Sequence, residues 1–142
     1  MTVWYWEQVG GTLFEEFLIV PAASGQGRRM LDAVILIDGE RRRMPIGSTA
    51  SLDDRDVVLV QTKFARLGMS LMGQTLFSRD LVKRVSRPRS VRSVALCKAS
   101  DAVLQPLLER HDGCQVVIYQ GADLGPRGLA SPRESNRPQA RW

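Results

Sequence analysis

The stretch Asp56-Val57-Val58-Leu59-Val60-Gln61-Thr62-Lys63 governs the reading of this chain. It starts polar, passes through four aliphatic residues and ends in Gln-x-Lys. A Val-rich run of this length suits a strand buried on both faces, in the middle of a mixed or parallel sheet. Side chains alternate along a strand, so Gln61 and Lys63 share a face and Thr62 points away. An amide and an ammonium presented side by side at the end of a buried run cost desolvation unless they have partners or a task.

Upstream, Met30 to Ile37 (MLDAVILI) predicts a neighbouring strand, followed by the hairpin turn signal Asp38-Gly39. Glu40 to Ile46, with Arg41, Arg42 and Arg43 in a row, is a candidate edge strand, and Gly47 to Arg55 a polar loop. Over residues 3–20, Trp6, Val9, Leu13, Phe17 and Val20 recur at three- and four-residue steps, which predicts a helix. Gly10 and Gly11 weaken that helix locally, and Phe17 to Val20 is alternatively the start of a strand stopped by Pro21. Ala22 to Arg29 is a loop.

Downstream, Leu67 to Val85 predicts a helix with Lys83 and Arg84 in its last turn, ended by Pro88. Val91 to Cys97 predicts a strand, Ser100 an N-cap, Asp101 to Arg110 a short helix and Gln115 to Tyr119 a last strand. Such alternation argues for an α/β fold with a central mixed sheet. The expected domain spans residues 1–119. From Gln120 onward Gly, Pro, Arg and Ser dominate, which predicts a disordered basic tail over 120–142.

At 142 residues the chain is one domain by length. No apolar run approaches the roughly 20 residues of a membrane span, and the first residues lack the basic-then-apolar layout of a signal peptide. Cys97 and Cys114 provide neither a disulfide framework nor a metal knuckle, so reduced thiols and a cytoplasmic address are expected. The net charge is +5. Arg127, Arg133, Arg137 and Arg141 against Asp123 and Glu134 place part of the excess in the tail, and the remainder suits a polyanionic partner without requiring one. A single histidine, His111, excludes multi-His metal sites and leaves a Ser-His-Asp triad with little support.

If the strand carrying Asp32 pairs with the Val57–Val60 strand, Asp32, Gln61 and Lys63 can point into one notch. A carboxylate and an amide carbonyl form an oxygen-rich site that favours Mg²⁺ or Mn²⁺ over zinc. Such an ion bridges a phosphate oxygen and acidifies a bound water, and Lys63 adds a point charge for the phosphate or the attacking oxygen. The first helix offers Glu15 and Glu16; the helical wheel favours Glu16, which borders the apolar stripe. Arg28 and Arg29, just before Asp32, are candidates to clamp phosphates, as against a basic loop in solvent. Gln74, on the helix after Lys63, is a candidate to reach back to the notch. The plainer alternative makes Gln61 and Lys63 solvated strand-end residues paired structurally with Asp32.

An acid on the first helix, Asp32 on the next strand and Gln61-Thr62-Lys63 at the end of a following hydrophobic strand together resemble the PD-(D/E)xK nuclease superfamily, in a Gln-x-Lys variant similar to Mrr-type nucleases. The resemblance implies a restriction-endonuclease-like αβββαβ core. Residue by residue, it makes Asp32, Gln61 and Glu16 (or Glu15) metal ligands and Lys63 the catalytic lysine. Gln61 in place of an acid removes one negative charge, which weakens metal binding relative to the acidic form.

The resemblance therefore implies a Mg²⁺-dependent (or Mn²⁺-dependent) endonuclease acting on nucleic acid, with DNA the leading expectation, no membrane partner, and room for a homodimer. The alternatives are an inactive nuclease-fold module that binds nucleic acid or a protein, and a small α/β interaction protein.

Overall fold

A computed structural model of the chain describes residues 1–122. Among these the elements run α1 (Thr2–Val9), β1 (Thr12–Val20), β2 (Arg29–Leu36), β3 (Arg42–Arg43), β4 (Asp56–Arg66), α2 (Met69–Val85), β5 (Ser90–Ala99), α3 (Leu104–Glu109) and β6 (Cys114–Ile118). The strands form one sheet in the order β3-β1-β2-β4-β5-β6. β1, β2 and β4 are antiparallel neighbours, whereas β5 and β6 continue parallel to β4. The protein is thus α/β with a mixed six-stranded sheet. No described helix is long and apolar enough to cross a membrane. From Asp123 onward, the tail expected over 120–142 lies outside the described residues.

β4 is interior, and Val57 to Gln61 are all buried. Val58 and Val60 pack with Tyr5 of α1, while Val57 and Leu59 pack with Val82 of α2. The strand is therefore covered by helices on both faces, which is why it reads as a continuous aliphatic run. α2 and α3 link parallel strands and share one face, meeting around Leu71 and Leu108 over Ala95 and Cys97. Each fully buried aliphatic side chain contributes about 1.5–3 kcal/mol relative to exposure, so β4 alone anchors much of the sheet.

Four expectations need correction. The helix expected over residues 3–20 ends at Val9, and Thr12–Val20 is a nine-residue strand. Gly10 and Gly11 form the break: both have positive φ (78° and 81°), and a Cβ on Gly11 would sit 2.5 Å from Leu36 O. Leu13 and Phe17 are four residues apart, a spacing that satisfies both helix and strand periods. The edge strand after Asp38-Gly39 does not return beside β2; it crosses over to pair with β1 in parallel, because β4 already occupies the free edge of β2.

The short helix expected from Asp101 begins only at Leu104, and its cap is Asp101 and not Ser100. Asp101 Oδ1 accepts from Val103 N and Leu104 N, both at 2.9 Å, and these two amide bonds hold its carboxyl below the ordinary value. The acid expected on a first helix, Glu16 or Glu15, lies on β1 instead.

Candidate active site

β2 and β4 pair only from Ala33↔Val60 to Leu36↔Val57. Beyond that point they fork. β4 continues beside β5, with Gln61↔Ala95, Thr62↔Leu96 and Lys63↔Cys97, while β2 continues beside β1 to Arg29. Asp32 and Gln61 are the first residues past the last backbone pair, and their side chains take over the lost ladder. Asp32 N donates to Gln61 Oε1 at 3.3 Å, and Thr62 N donates to Asp32 Oδ2 at 2.8 Å. Thr62 Oγ1 donates to the same carboxylate oxygen at 3.1 Å. This exchange satisfies backbone groups that a fork would otherwise leave unpaired.

Gln61 is only 6% exposed, and its Nε2 donates to Ser78 Oγ of α2 at 2.8 Å. The amide is thus held at both ends, as a buried polar group must be. Asp32 and Lys63 are exposed. Lys63 has no hydrogen bond or ion pair among the described residues, so it is not the structural partner of Asp32. Asp32 Oδ1 likewise has no partner among them and remains available.

The fork opens onto a cleft of about 670 Å³ between β2, β4 and α2. Its strand side carries Arg29, Met30, Leu31, Asp32, Gln61, Thr62 and Lys63, and its helix side Gln74, Phe77, Ser78, Asp80, Leu81 and Arg84. The helix residues recur at steps of three and four, the period of one α-helical face. Arg84 has no partner among the described residues. The cleft lies at the carboxyl end of β4, where α/β sheets place their ligands.

The structure therefore brings Asp32, Gln61, Lys63 and Arg29 together, and Gln74 with them. Arg28 does not line the cleft; its guanidinium turns to Met30 Sδ at 3.0 Å. Thr62, expected to point away, joins Asp32 at the fork. Ser78, Phe77 and Arg84 were not anticipated, although a serine on the buried face of α2, beside Leu71, Thr75 and Val82, asks for a polar partner.

Glu15 and Glu16 separate cleanly. Glu15 accepts from Thr2 Oγ1 at 3.0 Å and pairs with Arg43 at 2.8 Å, tying β1 to α1 and β3. Glu16 is exposed and has no partner among the described residues. It lies between Glu15↔Ala33 and Phe17↔Leu31, so the register sets it across from Asp32. Its φ is 53°, left-handed for a residue with a Cβ, a conformation that costs about 1–2 kcal/mol. That break in the strand lets Phe14 and Phe17, three residues apart, meet edge to face at 5.9 Å. Glu16, Asp32 and Gln61 thus form one row across three strands, although Glu16 does not line the cleft itself.

No three His, Cys, Asp or Glu side chains gather closely enough among the described residues to cage a metal. The donors at the fork are instead one carboxylate and one amide carbonyl, both hard oxygens. That set fits a Mg²⁺-type ion, which takes one or two protein carboxylates and fills its other positions with water and phosphate. In comparisons with known proteins, no family model, no curated protein and no solved structure matches this chain.

Proposed function

We propose that this protein is a divalent-metal-dependent nuclease of the restriction-endonuclease-like kind, hydrolysing phosphodiester bonds in nucleic acid, DNA foremost. The observation that carries the reading is the meeting of Asp32, Gln61 and Lys63 at the β2/β4 fork, Lys63 having no partner among the described residues, in a cleft where Arg29, Lys63 and Arg84 stand against Asp32 and Asp80. The element order supports it: leaving aside the two-residue β3, the chain runs α1, the antiparallel β1, β2 and β4, α2 and the parallel β5, an order compatible with the αβββαβ core that the resemblance implies.

In this reading Asp32 Oδ1 and Gln61 Oε1 would hold Mg²⁺ or Mn²⁺, with Glu16 positioned to add a second carboxylate from β1. The cation supplies Lewis-acid polarisation of a phosphoryl oxygen. Lys63 sets its ammonium against the negative charge that grows on the phosphate during displacement. Ser78 and Thr62 fix the rotamers of Gln61 and Asp32, so both donors are oriented before substrate arrives. Arg29 and Arg84 hold flanking phosphates.

A second reading, an inactive module of the same fold that binds nucleic acid, is favoured by one observation. Gln61 already has its amide engaged at both ends, by Asp32 N and Ser78 Oγ. The deciding experiment incubates purified protein with supercoiled and single-stranded DNA, in Mn²⁺ or Mg²⁺ against EDTA, beside Lys63→Ala. The nuclease reading expects metal-dependent nicking that Lys63→Ala lowers by about a hundred-fold or more. Nicking unaffected by Lys63→Ala sinks it, and salt-sensitive binding without nicking establishes the inactive module.

A further inference from the structure

Phosphate chemistry at the fork accounts for the polar residues of the cleft but not for its apolar ones. Phe77 is 69% exposed and Met30 37% exposed, and both line the cleft. An aromatic ring left largely in water at the rim of a cleft is free to stack on a flat partner that enters it. Leu31 and Leu81 extend the apolar wall, with Arg29 and Arg84 beside it. A scissile phosphodiester needs cations and oxygen ligands; it has no use for an apolar wall, whereas the π-face of a base does. The cleft volume of about 670 Å³ is that of a pocket for one small-molecule-sized unit and not for a helical duplex.

We infer that the cleft takes one unpaired nucleotide of a nucleic-acid strand, its base against Phe77 and Met30 and its phosphates against Arg29, Lys63 and Arg84. The inference rests on the nuclease reading for the identity of the ligand and deepens it, because it makes the substrate a single-stranded or frayed segment and not an intact duplex. A base inside a duplex reaches such a wall only by leaving its stack, whereas an unpaired base has already left it. Stacking on Phe77 tolerates any base, so the preference is for strandedness and not for sequence.

The test measures binding in EDTA by fluorescence anisotropy at one fixed salt concentration. Its probes are a single-stranded oligonucleotide, the blunt duplex of the same sequence and a single strand made entirely of abasic sites, with a nucleoside monophosphate as competitor. The single strand is expected to bind about ten-fold more tightly than the duplex, and Phe77→Ala to remove about ten-fold of that affinity. Binding of the abasic strand stays unchanged in Phe77→Ala, and Phe77→Trp restores the single-strand affinity. The inference is overturned if the duplex binds as tightly as the single strand, or if Phe77→Ala weakens the abasic strand equally. It is also overturned if the monophosphate competes as well as the strand, which would make the ligand a free nucleotide. Metal- and Lys63-dependent cleavage, assayed separately, keeps the two ideas apart. Intact cleavage without a Phe77 effect refutes the inference alone, and Phe77-dependent binding without cleavage refutes the nuclease reading alone.

Discussion

Gln61→Glu changes one NH2 to an oxygen with almost no change of shape, and it asks directly whether the fork is built for a cation. In the wild type the Gln61 side chain is 6% exposed, with Ser78 Oγ at 2.8 Å and Asp32 N at 3.3 Å. An introduced carboxylate keeps the Asp32 N–H bond and accepts from Ser78 once that hydroxyl turns, so hydrogen bonding is recovered. What it adds is a second negative charge beside Asp32 in a buried position. Burial and like charge both raise the pKa of the new carboxyl. A rise of one to two units costs about 1.4–2.7 kcal/mol at neutral pH, or roughly 3–10 °C of melting temperature for a domain of this size.

The sign follows from the raised folded-state pKa. The loss is fully present at neutral pH and vanishes as pH falls below the unfolded carboxyl value of about 4.3. With Mg²⁺ or Mn²⁺ at saturation, a ten-fold tighter site returns about 1.4 kcal/mol. The variant should therefore melt below wild type in EDTA and show the larger metal-induced rise, both readable by thermal shift. If it melts with wild type in EDTA, and metal moves the two equally, Gln61 faces no cation site and its role is structural.

Asp32→Asn should stay within about 0.5 kcal/mol of wild type, since an amide oxygen still accepts from Thr62, yet lose metal-dependent cleavage; Asp32→Ala should lose cleavage and about 1 kcal/mol as well. Full activity in Asp32→Asn would remove Asp32 from the chemistry. Glu16→Gly and Glu16→Ala both delete the carboxylate, but only glycine relaxes φ 53°, so denaturant melts should find the glycine variant about 1 kcal/mol more stable; the reverse order would mean that Glu16 is not left-handed in solution. At the opposite end of β4, hydrogen bonds from Arg89 and then Ser90 hold Asp56 at about 2 against its ordinary 3.8. The Asp56 carboxylate therefore contributes stability above pH 3.8 that is lost as pH falls toward 2. Asp56→Asn should flatten melting temperature against pH across that window, and an unchanged slope would dissociate Asp56 from the acid transition.

The parts of the fold that were legible in the sequence are those where local pattern and tertiary burial agree. Val57 to Val60 are aliphatic because helices cover both faces, so burial itself writes the run. α2 kept its helical period for the same reason. The N-terminal segment was misread because Leu13 and Phe17 fit either period, and the deciding signal was the Gly10-Gly11 pair, whose backbone angles admit no side chain without strain. The destination of Arg42–Arg43 was not legible at all: a two-residue edge strand is placed by which sheet edge remains free, a property of the whole topology. At the site, Asp32, Gln61 and Lys63 were readable because an amide, an acid and a lysine at the ends of buried runs need a reason. Phe77 and Arg84 were not, since an exposed aromatic and a last-turn arginine are ordinary on a helix until the cleft beside them is known.

The same region of the sheet concentrates three features that a purely structural sheet has no cause to retain. The ladder between β2 and β4 stops at Ala33↔Val60 although both strands continue. Glu16 holds a left-handed backbone across from Asp32, and Lys63 stands at the cleft without a partner among the described residues. The left-handed backbone at Glu16 carries a cost, and each feature has a simpler alternative: a longer ladder, a glycine at position 16, or an ion pair between Lys63 and Asp32. Local rules that fail together at one place are the pattern expected of a functional site. Strain alone does not specify chemistry. In the proposed reading the oxygen donors and the Lys63 ammonium do that, which makes phosphodiester hydrolysis the activity to assay first.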